Sequence, residues 1–394
     1  MKIKAIVLLA IIYLAFIALG LPDALLGSAW NLVRVDLSVS LGALGIMSFL
    51  VYLMSTLSTF NAPRLLRVFE TKILVLMGVT MIGVALIMIS RVEHFYQLLL
   101  FAIPLGVGAG VIDVCMNHYL TTYYKASHMN YLHSFYGIGV TLGPTIMAYT
   151  LRANAWRQGY IVVGLILLVI AIILLSSFPL WFKENSNDRD QNHAPIRFMD
   201  ALKIPGAFKS VLIFFLYVHL ETLGGIWIAS YVFIEKHVSY ATAALATSTF
   251  YLALTVGRIT SGVISNYVSS NRLIRIGEIL IVIAGFLFII PYEELWFTFF
   301  TVGLFGLGCA PIFPNLMYLN GRYFDKHKVS KIISLQMALG YMGFGLLTPL
   351  AGLILDQYGV RFYPIFLVVG GVILIIVTHH YFKQRQPVSK QTPL

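Results

Sequence analysis

The sequence predicts an all-α polytopic membrane protein, with twelve spans arranged as two parallel six-helix halves. Three observations lead there. Of 394 residues, 59% are hydrophobic and only 11% charged; a soluble domain carries about 25% charged residues, so lipid must be part of this chain's solvent. Apolar runs recur about twelve times, each near the roughly 20 residues that cross a bilayer core as helix, and none has the short alternating pattern of a barrel strand. Lys and Arg crowd onto alternate loops, as they do in multi-pass proteins.

The predicted spans are 5–30, 43–60, 73–90, 96–123, 131–151, 158–182, 208–234, 241–267, 273–290, 296–319, 332–355 and 362–381. The first begins after Met-Lys-Ile-Lys and imitates a secretory signal, but its apolar run continues to about Trp30 without a cleavage site, so it reads as an uncleaved span. An even number of spans puts both termini on one side. On that side lie about twenty basic residues, among them Lys4, Arg64, Arg67, Lys203, Lys209, Arg272, Arg275 and Arg322, against about six opposite, which assigns both termini to the cytoplasm; the plasma membrane is the expected location. The formal charge of +11 is therefore a topology signal and not a nucleic-acid footprint.

The one long connection, 183–207, is polar and separates an N-terminal bundle, 1–182, from a C-terminal bundle, 208–394, with a short cytoplasmic tail. The remaining loops are about 4 to 13 residues long, too short for a catalytic domain. No His-Glu-x-x-His motif or nucleotide loop is present, and Cys115 and Cys309 sit inside apolar runs without metal-ligand spacing. No enzyme, metal or cofactor is expected, and a monomer suffices mechanically.

Self-comparison supports a parallel repeat. A shift of 198 lays Asp23 and Gly27 on Glu221 and Gly225; a shift of 200 lays Gly106 and Gly108 on Gly306 and Gly308; a shift of 203 lays His133 and Gly137 on Gln336 and Gly340. Corresponding helices are an even number apart, so the two halves run the same way. Six plus six spans in parallel halves is the layout of the major facilitator transporters, with a substrate site near the bilayer midplane.

A carboxylate at that depth costs about 2.5 kcal/mol or more, so it needs a partner, water or a proton. Asp113, Glu221 and Asp23 are the candidates for proton coupling. Asp113 has Asn117 four residues on, which puts both on one helix face. Asp23 follows Pro22 near the predicted outer end of the first span. Asn117, His133, Tyr136, Trp227, Asn315, Tyr318 and Gln336 offer neutral hydrogen-bonding groups and aromatic faces, which suit the hydroxyls and C–H faces of a sugar; each could equally be packing glue. Arg258, alone within a span and at a depth similar to Glu278, reads as the cation of a structural ion pair with it or as a snorkelling side chain near the gate, with recognition of substrate charge as the other reading. Pro311 and Pro314 remove two backbone donors within one turn and predict a break in the tenth helix. The run from Gly106 to Gly110 reads as a close helix contact.

These residues resemble a known family. Gly-Val-Gly-Ala-Gly-Val-Ile-Asp-Val-Cys-Met-Asn, ending at Asn117, is similar to the fourth-helix signature of the fucose permease group of the major facilitator superfamily. Tyr-Val-His-Leu-Glu-Thr-Leu-Gly-Gly-Ile-Trp, ending at Trp227, and Ala-Pro-Ile-Phe-Pro-Asn, ending at Asn315, are similar to its seventh and tenth helices. The resemblance implies proton-coupled uptake of hexoses or related sugars, with Asp23 and Asp113 at the group's acidic positions, Asn117 beside them, and His133 and Tyr136 where the fucose permease has Gln and Asn. The loop after the second span carries only a degenerate form of the superfamily's Gly-Asp-Arg gating motif.

The function expected is proton-coupled symport of a sugar or similar polar solute, with protons, that solute and lipid as the partners. Antiport exporting drugs or a metabolite is the alternative, because one fold serves both directions. An apolar cavity with one acidic group would favour drugs; several neutral polar groups around it would favour sugars. A sensor that binds a solute without moving it is a third reading.

Overall fold

The structure is a computed structural model describing residues 2–124, 126–182, 202–292, 294–324 and 326–384. Among them run fourteen α-helices: α1 Lys2–Gly20, α2 Leu25–Asp36, α3 Ala43–Val68, α4 Thr71–Ile89, α5 Phe95–Tyr123, α6 Ala126–Leu151, α7 Trp156–Ser176, α8 Ala207–Glu235, α9 Tyr240–Ile264, α10 Ser270–Ile289, α11 Leu295–Cys309, α12 Ile312–Tyr323, α13 Lys326–Tyr358 and α14 Tyr363–Gln384. Joined across their breaks, α1 with α2 and α11 with α12, they make the twelve predicted spans. The predicted linker falls largely on 183–201, outside the described residues.

Each boundary shift has a local cause. The tenth span breaks where predicted: α11 stops at Cys309 and α12 starts after Pro311. The first was expected unbroken and is not, because Pro22 has no N–H to donate and disfavours helical Leu21 before it. Turns carry the chain across, with Asp23 N–H on Gly20 carbonyl and Leu25 N–H on Pro22 carbonyl. Pro179 likewise stops α7 at Ser176 instead of 182. Helix α3 runs past the predicted residue 60 to Val68, and α13 spans Lys326–Tyr358 instead of 332–355, since a helix need not stop where its apolar stretch does.

By proximity the chain forms two compact units. The first holds α1 to α7, Gly225–Leu252 and Thr348–Arg361; the second holds the start of α8 to Gly224, Ala253–Leu347 and α14. The repeat read from the sequence appears as repeated packing. In the first unit α4 and α5 cross so closely that a Cβ on Gly108 would lie 2.9 Å from the Gly78 carbonyl oxygen and 2.7 Å from Ile82, while one on Gly78 would meet Ile112 at 2.7 Å. In the second unit α10 and α11 to α12 cross identically: Gly308 would meet the Gly277 carbonyl at 2.9 Å and Ile281 at 2.9 Å, and Gly277 would meet Ile312 at 3.1 Å. Only glycine lets backbones approach so closely, and in lipid such contact is a main source of helix association.

Candidate functional site

The break after α1 puts Asp23 on non-helical backbone inside the first unit. Helix α6 reaches it because glycines line the approach: a Cβ on Gly20 would lie 2.9 Å from Val140 N, and one on Gly139 would lie 3.0 Å from the Gly20 Cα. That contact delivers Tyr136, whose hydroxyl donates to Asp23 Oδ2 at 2.5 Å, within the range of charge-assisted O–H···O bonds. The Asp23 side chain is exposed by its accessible surface. It also lines a cavity of about 60 Å³ with Ser48 and Tyr52, in a wall that is otherwise apolar, including Leu26, Met47, Val51, Leu105 and Ile226.

Asp113 and Asn117 share the α5 face that their spacing predicts. Asn117 Nδ2 donates to Asp113 Oδ1 at 2.9 Å and to the Asp113 carbonyl at 2.8 Å, and Asp113 lies within electrostatic reach of Asp23. His133, one turn before Tyr136, is exposed, with its ring edge-on to Phe16 at 5.9 Å. Nearby, Tyr13 stacks on Phe135 at 4.7 Å while its hydroxyl lies 3.0 Å from His128 Nδ1. Five predicted residues, Asp23, Asp113, Asn117, His133 and Tyr136, thus belong to one neighbourhood of the first unit.

Glu221 lies elsewhere, in the second unit, with a cation. Arg258 Nη2 donates to both Glu221 carboxylate oxygens at 3.0 Å. Tyr217, one turn earlier on α8, donates its hydroxyl to the same carboxylate, and Phe313 of α12 carries the guanidinium over its ring at 5.8 Å. This corrects the expected Arg258–Glu278 pair. Depth alone suggested it, but Arg258 points toward α8 and α12, whereas Glu278 faces Thr378 of α14. Glu278 is 1% exposed, and its Oε1 has no hydrogen-bond partner among the described residues.

Four expected solute contacts are placed differently. Trp227 is wholly buried, its Nε1 3.3 Å from the Thr348 carbonyl and its ring against Gly352. Asn315 is buried and donates to the Pro311 carbonyl at 2.7 Å and to Ser261 at 3.2 Å. Gln336 is buried in a network with Asn320 and Ser210. These three side chains are committed to holding helices together, and none lines the cavity beside Asp23. Tyr318 is exposed, with the Arg322 guanidinium 5.1 Å over its ring.

Sequence reasoning missed Tyr217, Tyr52 and Tyr251. Tyr217 stands four residues before Glu221, the same spacing that singled out Asn117. Tyr52 and Tyr251 both lie within electrostatic reach of Tyr136, and no local pattern marks them.

The sequence profile described as Major Facilitator Superfamily matches residues 12–234 and 206–394. Bypass of stop codon protein 6 of Saccharomyces cerevisiae is 23% identical over 89% of this chain and 77% of its own length. The glucose/mannose transporter GlcP of Bacillus subtilis is 22% identical over 75% of each. Among solved structures, the nucleoside transporter NupG superposes with a TM-score of 0.78 at 12% identity, covering 95% of this chain and 98% of its own. A bacterial homologue of the human lysosomal transporter Spinster, in an inward-facing and occupied conformation, gives 0.74 at 15% identity, covering 98% and 99%.

Proposed function

The chain belongs to the Major Facilitator Superfamily, and from that premise we propose that it is a proton-coupled symporter that imports a sugar or a similar polar solute by alternating access. The observation that carries this reading is the Asp23–Tyr136 pair beside Asp113–Asn117. Two carboxylates within electrostatic reach in a low-dielectric interior repel each other, and a proton on one of them relieves that repulsion. A proton binding there can therefore be linked to a solute binding there. Asn117 and Tyr136, which donate to the two acids, also offer hydrogen-bonding groups of the kind a polyhydroxy solute needs. The glucose/mannose transporter among the relatives points to the same solute class.

In this reading Asp113 is the principal proton carrier and Asp23 assists it. Glu221 serves as counter-ion to Arg258. The protein acts as a monomer in the plasma membrane with both termini in the cytoplasm. The test is uptake of labelled D-glucose, D-mannose and uridine into proteoliposomes under an inward proton gradient. Accumulation of a hexose that collapses when the gradient is dissipated supports the proposal. Uptake of any of these solutes that an outward gradient drives instead would establish antiport.

A further inference from the structure

The first unit carries a long apolar furrow on its surface. Glycines draw two of its helix pairs tight. A Cβ on Gly143 of α6 would collide with the Leu21 carbonyl just past α1, and one on Gly164 of α7 would lie 2.9 Å from the Gly83 carbonyl of α4. Helix α6 is thus held to α1, and α7 to α4. Where α7 passes α1 and α6, branched aliphatics take the place of glycine, and a furrow of about 640 Å³ is left. Its eleven lining residues are all Leu, Ile or Val. Helix α7 supplies them at helical spacing from Val162 to Ile173, a rise of about 16 Å. That is close to half of the roughly 30 Å hydrocarbon core, the depth of one leaflet. Val162, Leu165 and Val169 are 40%, 51% and 55% exposed, so the protein itself does not fill the furrow.

One end of the furrow changes character. On α6, Leu142 and Ile146 line the wall. Tyr149 follows two turns past Leu142 on the same face, and Arg152 lies just beyond the helix end. Tyr149 is 74% exposed, and the Arg152 guanidinium lies 5.9 Å over its ring. Arg157, at the start of α7, is bonded instead to Asp36 and to the Val92 carbonyl. Tyrosine favours the level of the lipid headgroups, and a cation at that level attracts anionic ones. Apolar furrow, aromatic ring and guanidinium therefore follow one another in the order of acyl chain, glycerol ester and phosphate in a phospholipid. A chain lying in the furrow is touched by three helices, whereas one against a flat helix face is touched by one, so the furrow gains the larger dispersion attraction.

We propose that the furrow between α1, α6 and α7 is a binding site for an anionic phospholipid, with one acyl chain along α7 and the phosphate at Arg152. In the proposed topology this is a lipid of the outer leaflet. The inference requires only that the chain spans a bilayer, and it stands whichever solute is carried and whether or not a proton moves with it. The purified full chain is stripped of lipid in mild detergent and titrated with phosphatidylglycerol, or with phosphatidylethanolamine bearing the same acyl chains, and bound lipid is counted by native mass spectrometry. Phosphatidylglycerol is expected to bind the parent about fivefold more tightly than phosphatidylethanolamine, the worth of one cation beside an anionic headgroup. Arg152→Gln is expected to erase that preference. Val169→Trp, which sets a bulky ring in the furrow, is expected to weaken both lipids about fivefold or more.

Ile172→Trp is the control. It adds the same ring to the same helix at a position that is 66% exposed and outside the furrow lining, and it is expected to leave lipid binding within about twofold of the parent. All three substitutions fall on exposed side chains, so each variant is expected to keep the parent's Tm within about 2 °C in lipid-free detergent, which separates loss of binding from loss of fold. Equal binding by the two tryptophan variants would overturn the furrow as the place of the acyl chain. A preference for phosphatidylglycerol that survives Arg152→Gln would overturn the assignment of the headgroup. A parent that runs as a dimer, and as a monomer after Val169→Trp but not after Ile172→Trp, would seat a second copy of this chain in the furrow and overturn the proposal as well.

Discussion

The two units solve the same packing problem with the same residues and then diverge in chemistry. Each contains the crossing built on two glycines and two isoleucines, Gly78, Ile82, Gly108 and Ile112 in one, Gly277, Ile281, Gly308 and Ile312 in the other. In the first unit Asp23 is accessible, bonded by one tyrosine hydroxyl, and within reach of a second carboxyl. In the second, Glu221 is paired with Arg258 and further bonded by Tyr217. Asp23 and Glu221 occupy matching positions in the sequence repeat, so the difference teaches that a shared scaffold position does not carry a shared set of partners.

The largest effect should come from breaking the second unit's balance. Arg258→Met strands the Glu221 carboxylate and is expected to cost about 3–5 kcal/mol of stability, with the double variant Arg258→Met/Glu221→Gln recovering most of it. Thermal unfolding of both proteins checks this. No recovery in the double variant would mean that the guanidinium serves something besides Glu221.

Next come the crossings that the units share. Gly78→Ala and Gly277→Ala each force a Cβ into its partner helix, and each should lose about 1–3 kcal/mol. Similar drops in Tm would bear out equivalent packing; a loss confined to one would break the symmetry. Tyr136→Phe removes the hydroxyl on Asp23 without changing ring shape, and should weaken solute-driven proton movement about tenfold, the worth of a hydrogen bond to a charged group near 1.5 kcal/mol. Tyr217→Phe, its counterpart on Glu221, should leave transport within about twofold, because Arg258 still satisfies that carboxylate. The smallest effect is expected of Glu278→Gln, which keeps the shape of a buried carboxyl that faces Thr378: transport unchanged and Tm equal or higher. Uptake and calorimetry on that single variant suffice.

Much of this contrast could be read in the sequence, though unevenly. Spans, the break at Pro311 and the Asp113–Asn117 face follow from local rules, apolar run length, proline chemistry and the helical period, so they were accessible without a fold. The break at Pro22 follows from the same proline chemistry but was missed, because the apolar run around it is long enough to look continuous. What required the fold were side-chain directions across helices. Arg258 was matched to Glu278 by depth, yet two helices at one depth can face different neighbours. Trp227, Asn315 and Gln336 have the right chemistry for a sugar, and only packing reveals that their polar atoms are already engaged.

The central claim is that the first unit's carboxyls carry a proton together with the solute. Its most direct test is the external pH of weakly buffered, de-energised cells expressing the protein, recorded as D-glucose is added, for the parent chain and for Asp113→Asn. The account predicts a transient alkalinisation for the parent and, at equal surface expression, a response at least about 100-fold smaller or absent for the variant. An equal alkalinisation in the two would contradict it, because the proton would then travel with the solute by a route that does not use Asp113.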